Sequence, residues 1–192
     1  MKNEDIVKIK GPYYIKIGSL IIGFDMFVLG QLIRRMLSLV KKMKVSGIGM
    51  NNLSQMRIQK PANEIFEAFV DPKKIGNFWF SSSSERWEEG KTITLRYEEY
   101  DAQGDIDITE IQENKKVVFE LPGNHKVTIK FVQEEGSTIV EVKEEGFDEN
   151  SDDLIPQLID NKEGWVYMLT CLKGYMEYGV NLRASLVKCD TN

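Results

Sequence analysis

His125 is the only histidine in the chain. No serine or cysteine stands in the strand-to-helix elbow that activates a nucleophile, so neither a Ser–His triad nor a Cys–His dyad can be assembled. Hydrolysis and acyl transfer are disfavoured on that ground. His125 follows the turn sequence Pro122-Gly123-Asn124 and is expected at a hairpin end, in solvent. The acidic pairs Glu88-Glu89, Glu98-Glu99, Glu134-Glu135, Glu144-Glu145 and Asp152-Asp153 are adjacent in sequence, which in strands or loops sends the two side chains in different directions. They read as solvated surface and not as the facing carboxylates of a glycosidase. Cys171 and Cys189 lie eighteen positions apart, roughly 27 Å along a straight helix, too far to pair. With no Cys/His spacing that suits zinc, the chain is expected to hold no metal and no cofactor, and to work in a reducing, cytoplasmic setting without catalysis.

The chemistry that the residue types do offer is apolar. Phe66, Phe69, Phe78, Trp79, Phe80, Trp87, Tyr97, Phe119, Phe131 and Trp165 are large rings that border a concave sheet as readily as they fill a core. Leu95, Ile108 and Ile129 join them from strand-like segments, and Met168, Leu169, Leu172 and Met176 from a C-terminal helical pattern. Core packing and a ligand pocket are both open readings for this set. At 100° per residue Arg183 falls in line with Trp165 on the apolar arc of that helix. Its stem could cover apolar surface while its head meets the last carbonyls or water. The functional alternative is a contact with an acidic ligand group at a pocket mouth.

These residues need elements to hold them. Asn52 to Gln59 reads as a strand; Pro61 opens a helix carrying Ile65, Phe66 and Phe69 on one face, and Asp71-Pro72 ends it. Asp71 then caps a second short helix running to about Phe78. Strands are expected over Thr92–Tyr100, Asp105–Ile111, Lys116–Leu121, Lys126–Val132 and Thr138–Glu144, separated by Asp101-Ala102-Gln103-Gly104, Pro122-Gly123-Asn124 and Glu134-Glu135-Gly136. Ile93, Leu95 and Tyr97, and Val127, Ile129 and Phe131, alternate with polar residues, so one sheet face is covered and the other solvated. From Gly164 to Gly179 the spacing predicts a long helix burying Trp165, Met168, Leu169, Leu172, Tyr175, Met176, Gly179 and Val180. The order gives an α+β domain over residues 51–192, an antiparallel sheet wrapped around its last helix.

Residues 1–50 differ in kind. They carry a net charge of +6, leaving −11 on residues 51–192, and a domain so acidic, with no basic stripe, excludes nucleic acid as a partner. Residues 13–33 are apolar but interrupted by Lys16 and Asp25, a marginal length for a bilayer crossing. Leu32, Ile33, Met36, Leu37, Val40 and Met43 then repeat at helical spacing among Arg34, Arg35, Lys41, Lys42 and Lys44, as in a basic helix at a membrane surface. Three readings stay open: an over-long start, membrane contact through residues 13–44, or an extra docked helix. Ser46-Gly47-Ile48-Gly49 marks the joint.

Four segments in order carry a family likeness: Ile58-Gln59-Lys60-Pro61-Ala62-Asn63-Glu64-Ile65-Phe66-Glu67-Ala68-Phe69-Val70-Asp71-Pro72, Phe78-Trp79-Phe80, Trp87-Glu88-Glu89-Gly90-Lys91, and Gly164-Trp165 through Gly179. Over about residues 52–187 the chain resembles the SRPBCC superfamily, the START-like or birch-pollen-allergen-like helix-grip fold, and within it the homologues of the activator of heat-shock-protein-90 ATPase. The resemblance implies a cavity between sheet and helix, used across the superfamily for lipids, sterols, polyketides and other hydrophobic ligands. Eukaryotic activators add a separate N-terminal domain, which residues 1–50 are too short and too apolar to be. Superfamily cyclases use polar pocket residues to steer ring closure, and no such set maps here. The leading expectation is therefore a non-enzymatic binder of a small hydrophobic molecule, its pocket drawn from the aromatic and aliphatic set above. The alternatives are a chaperone-activator-like interaction module and, more weakly, a cyclase or isomerase.

Overall fold

Period-two alternation becomes a seven-stranded antiparallel sheet. The computed structural model describes residues 13–17, 20–24, 49–183 and 185, and the chain divides into two units, Met1–Ile48 and Gly49–Asn192. In the first, β1 (Tyr13–Ile17) pairs antiparallel with β2 (Leu20–Phe24), Tyr13 opposite Phe24 and Ile17 opposite Leu20. The apolar stretch that a helical crossing would need is thus a pair of strands over its first half. Among the described residues no helix is long and apolar enough to cross a membrane. The basic repeat from Leu32 to Lys44, like Cys189, lies outside the described residues.

The second unit comprises β3 (Asn51–Ile58), α1 (Ala62–Val70), β4 (Ser82–Ser83), β5 (Thr92–Tyr97), β6 (Ala102–Gln112), β7 (Lys116–Leu121), β8 (His125–Glu134), β9 (Ser137–Glu145) and α2 (Leu154–Tyr178). The spatial order is β3-β9-β8-β7-β6-β5-β4. A bulge between Ile108 and Glu110 interrupts the β6–β7 ladder, a device that bends a strand. The sheet is curved and carries the long helix in its hollow, the helix-grip α+β arrangement. On its outer face Thr92 and Thr94 donate to Asp107 and Asp105 at 2.6 and 2.7 Å, and Lys116 pairs with Glu110 at 2.7 Å. Such solvated cross-strand pairs hold register more than they add stability.

Inside, α1 lays Ile65, Phe66 and Phe69 onto the sheet. Phe66 and Phe69 meet Phe131 edge-on at 5.8 and 5.6 Å, and Phe69 meets Phe78 at 5.2 Å. Trp87 sits 5.6 Å from Phe119, and Phe78 stacks on Tyr175 at 6.4 Å. Leu95, Ile108, Ile129, Met168, Leu169, Cys171 and Leu172 complete this core. Burial pushes the Cys171 thiol pKa up, so it remains protonated and inert.

Four expectations are corrected. The segment after Asp71 is a turn followed by a 3₁₀ turn at Ile75–Asn77, not a regular helix to Phe78, because the chain doubles back so closely that a Cβ on Gly76 would stand 2.9 Å from the Ser81 carbonyl oxygen. The strand from Thr92 stops at Tyr97, and Glu98–Tyr100 form a 3₁₀ turn closed by Asp101 at φ 47°. Ala102, Gln103 and Gly104, expected as turn residues, instead pair with Tyr97, Arg96 and Leu95. The helix begins at Leu154, ten residues early. Pro156 is tolerated in its first turn, where N–H groups have no helical acceptor, but the leading residues are mostly exposed and supply no apolar periodicity.

The helix also ends sooner than the arc through Val180 and Arg183 required. Gly179 adopts φ 67°, its N–H reaching the Tyr175 carbonyl at 2.9 Å and that of Val180 reaching the Gly174 carbonyl at 3.2 Å. The chain then reverses, so that Leu182 lies over Gly174 and its carbonyl accepts from the Tyr167 hydroxyl at 2.6 Å. Arg183 therefore lies beyond the helix. Its Nε donates to the Gly76 carbonyl at 3.0 Å, Nη1 to Ser81 Oγ at 3.1 Å, and Nη2 pairs with Glu99 Oε1 at 2.5 Å. Its donors are engaged within the protein and not by the last helix carbonyls. The guanidinium, helped by Glu99's backbone and Ser81 hydrogen bonds, holds the Glu99 carboxyl down at about 2.

Two outcomes follow from these contacts. Gly146 has φ 102°, and a Cβ there would stand 2.3 Å from the Asn124 carbonyl oxygen, so Gly146→Ala is expected to cost at least ~2 kcal/mol in a urea unfolding curve. Because Glu99 titrates lower in the folded chain than its ordinary 4.5, the clamp stabilises above that value and fades as the pH falls toward about 2. The melting temperature of Arg183→Met should lie below that of the unsubstituted chain at neutral pH, the gap closing between about pH 4.5 and 2.

Candidate functional site

The inward parity of each strand continues past the solid core to one end of the sheet, and there the residue types change. Val140 and Val142 of β9 face inward, and two residues on so does Glu144, 1% exposed. Val127, Ile129 and Phe131 of β8 face inward, and two residues back so does His125. Asn52, Glu144, Val127, Phe119 and Ile108 occupy one row across five strands. A carboxylate in such a row must find donors to replace water.

Glu144 finds three. Its Oε1 accepts from His125 Nδ1 at 2.8 Å and from Asn161 Nδ2 at 2.8 Å, and its Oε2 accepts from Trp165 Nε1 at 2.7 Å. Asn161 and Trp165 are four residues apart on α2 and so share a face. His125 is mostly covered, its ring edge-on to Phe147 at 4.8 Å. The expectation that the Glu144-Glu145 pair is surface and that His125 is solvated is corrected for Glu144 and His125; both belong to an interior polar cluster. Gly146, at positive φ against Asn124, lets the β7–β8 turn approach closely enough to bring His125 there.

Beside this cluster lies a cavity of about 370 Å³, open to solvent, between sheet and helix. Trp79, Phe80, Tyr97, Leu121 and Trp165 give it aromatic and aliphatic walls, Glu144 a polar one, and Asp160, Asn161, Glu163 and Gly164 border it from the helix. The rings touch one another: Trp79 lies 4.5 Å from Phe80 and 5.5 Å from Trp165, and Phe80 lies 4.6 Å from Tyr97. Burial pushes the Tyr97 phenol well above its ordinary pKa, so it stays neutral. Gly164 has no atom within 4 Å of the place a Cβ would take. The space is open there because the helix offers no side chain.

Of the residues expected to line a pocket, Trp79, Phe80, Tyr97 and Trp165 are brought together here. Phe66, Phe69, Phe78, Trp87, Leu95, Ile108, Phe119, Ile129, Phe131, Met168, Leu169 and Leu172 are in the packed core behind them. Met176 borders a second hollow of about 260 Å³ with Glu64, Lys74 and Tyr175. Glu144, His125 and Asn161 were missed, although strand alternation carries the signal for the first two. Among the described residues no cluster of His, Cys, Asp and Glu is arranged to hold a metal ion.

Residues 59–177 match the model of the family described as Activator of Hsp90 ATPase homolog 1-like protein. A crystallographically solved protein of Staphylococcus saprophyticus is 52% identical, over 70% of this chain and 97% of that one, with a TM-score of 0.65. The Aha1 dimer of Colwellia psychrerythraea, 20% identical over 68% of this chain and 98% of that one, has a TM-score of 0.60. CalU16 of Micromonospora echinospora, 17% identical over 66% and 74%, has a TM-score of 0.53. These last two share the fold. Among curated proteins there is no match. With the family match running from the end of β3 almost to the end of α2, and a solved relative identical at more than half of its aligned positions, the chain belongs to the family of Activator of Hsp90 ATPase homolog 1-like proteins.

Proposed function

We propose that the helix-grip unit binds a small hydrophobic molecule in the cavity between β5, β7, β9 and α2, without turning it over. The observation that carries this reading is the cavity itself: about 370 Å³, within the ~300 to 1,000 Å³ typical of small-molecule sites, walled by aromatic rings around one anchored carboxylate. Affinity comes from water leaving apolar surface. A two-ring ligand burying roughly 200 Å² would gain ~5 kcal/mol at ~25 cal/mol per Å², before the loss of its own freedom, so binding in about the millimolar range is expected for a generic probe. Selectivity falls to Glu144 and the helix residues at the mouth. Glu144 serves as a fixed acceptor in this proposal, with Trp165, Asn161 and His125 setting its orientation.

Gly164 makes the reading testable without damage to the core. A leucine there would project into the cavity, while replacing a mid-helix glycine improves helix propensity by up to ~1 kcal/mol. The unsubstituted chain is expected to bind 2-naphthylmethanol with a saturable change in tryptophan emission. Gly164→Leu should weaken that binding more than ~10-fold while its melting temperature holds or rises. Absence of saturable binding to the unsubstituted chain, or unchanged affinity in the variant, would turn the reading toward an interaction module of the chaperone-activator type.

A further inference from the structure

The cavity's lining is one-sided in charge. Glu144, Asp160 and Glu163 border it, and among the described residues no lysine, arginine or histidine does. Two described cations of neighbouring segments are engaged: Arg183, close enough to Tyr97 to affect its titration, is paired with Glu99, and Lys162 Nζ donates to the Leu53 carbonyl. His125 contacts Glu144 through Nδ1 but is not part of the wall.

Around that charge stand four rings that do not stack flat. Trp79 and Phe80 are inclined by 36°, Phe80 and Tyr97 by 45°, and Trp79 and Trp165 by 64°. Tilted aromatic walls with a carboxylate among them form the type of box that receives an organic cation, through the negative faces of the rings and through Coulomb attraction. An anionic ligand would meet the carboxylates of Glu144 and Glu163 in the same space. On the cavity-binding reading above, we infer that the ligand is a hydrophobic molecule bearing a protonated amine or a quaternary ammonium group, its charged end near Glu144 and its apolar body against Trp79, Phe80, Tyr97 and Trp165.

Three probes of one shape separate this inference from the reading it rests on: 2-naphthylmethylammonium, 2-naphthylmethanol and 2-naphthoate, each titrated calorimetrically into the full chain at neutral pH. The ammonium should bind at least ~10-fold more tightly than the alcohol, and the carboxylate most weakly. Glu144→Gln should cut the ratio of ammonium to alcohol affinity several-fold, the two probes being compared within the same variant. Its amide can still accept from Trp165, while Asn161 can turn its own amide and His125 can change tautomer to satisfy the other side. Glu163→Gln, at the rim, tests the same charge effect without touching the buried cluster. Gly164→Leu should abolish binding of the ammonium together with that of the alcohol.

Equal affinity for ammonium and alcohol would overturn the charge inference and leave the cavity reading in place. So would a preference that neither glutamine variant reduces, or ammonium binding that survives Gly164→Leu, since both would put the cation on the acidic exterior. If no probe binds, the cavity reading falls and the inference with it.

Discussion

A buried carboxylate governs how sheet and helix meet. Glu144 has almost no contact with solvent, yet β9 presents it inward, and an ionised group so placed is tolerable only where fixed donors replace its hydration. Those donors come from His125 on β8 and from Asn161 and Trp165 on α2. Three consecutive elements are therefore held in one relative position by the needs of one side chain. Asn161 and Trp165 are a single helical turn apart, so satisfying both fixes the rotation of α2 as well as its distance from the sheet. Hydrophobic burial alone, being non-directional, would hold the helix less specifically.

That constraint divides the interior into two unlike ends. At one, α1 and the 3₁₀ turn deliver Phe66, Phe69 and Phe78 against Phe131 and Tyr175 in the last turn of α2, and the space is filled. At the other, α1 does not reach and α2 contributes Gly164 where a larger residue would enter the gap. Trp79 stands at the boundary, touching Phe69 at 6.1 Å and Trp87 at 6.2 Å on the packed side and Phe80 and Trp165 on the open side. The Arg183 clamp has a related effect from outside. By joining the chain after α2 to Gly76, Ser81 and Glu99, it secures the segment that brings Trp79 and Phe80 to the cavity.

Much of this was legible in residue patterns. Alternation located β3, β7, β8 and β9 within a residue or two, since the covered face of an antiparallel sheet imposes a strict period. The early turns of α2 were not legible. They are mostly exposed and are held by single polar contacts such as Asn52 Nδ2 to the Leu158 carbonyl at 3.0 Å, which leave no hydrophobic period to read. Arg183 misled because helical phase was carried four residues past the glycine that ends the helix. Glu144 was lost through treating adjacent acids as a pair: parity places Glu144 with Val140 and Val142, and Glu145 on the opposite face. His125 failed likewise, because a turn sequence before it outweighed its parity with Val127.

The distribution of these departures is itself informative. A glycine within a 25-residue helix, a glutamate and a histidine on the inward face of a sheet, and an asparagine in the same row each depart from what stability alone selects. Other departures lie elsewhere, Gly174 in the same helix and buried Ser137 and Thr138 at the start of β9, but Glu144, Asn161 and Gly164 meet beside the cavity, with His125 on Glu144. Where local rules fail together around an unfilled space, the simplest physical account is that the space has a use. On the proposed reading the acidity of the lining says more than its hydrophobicity does: aromatic walls would serve many apolar molecules, but a carboxylate kept in position by three donors would discriminate by charge.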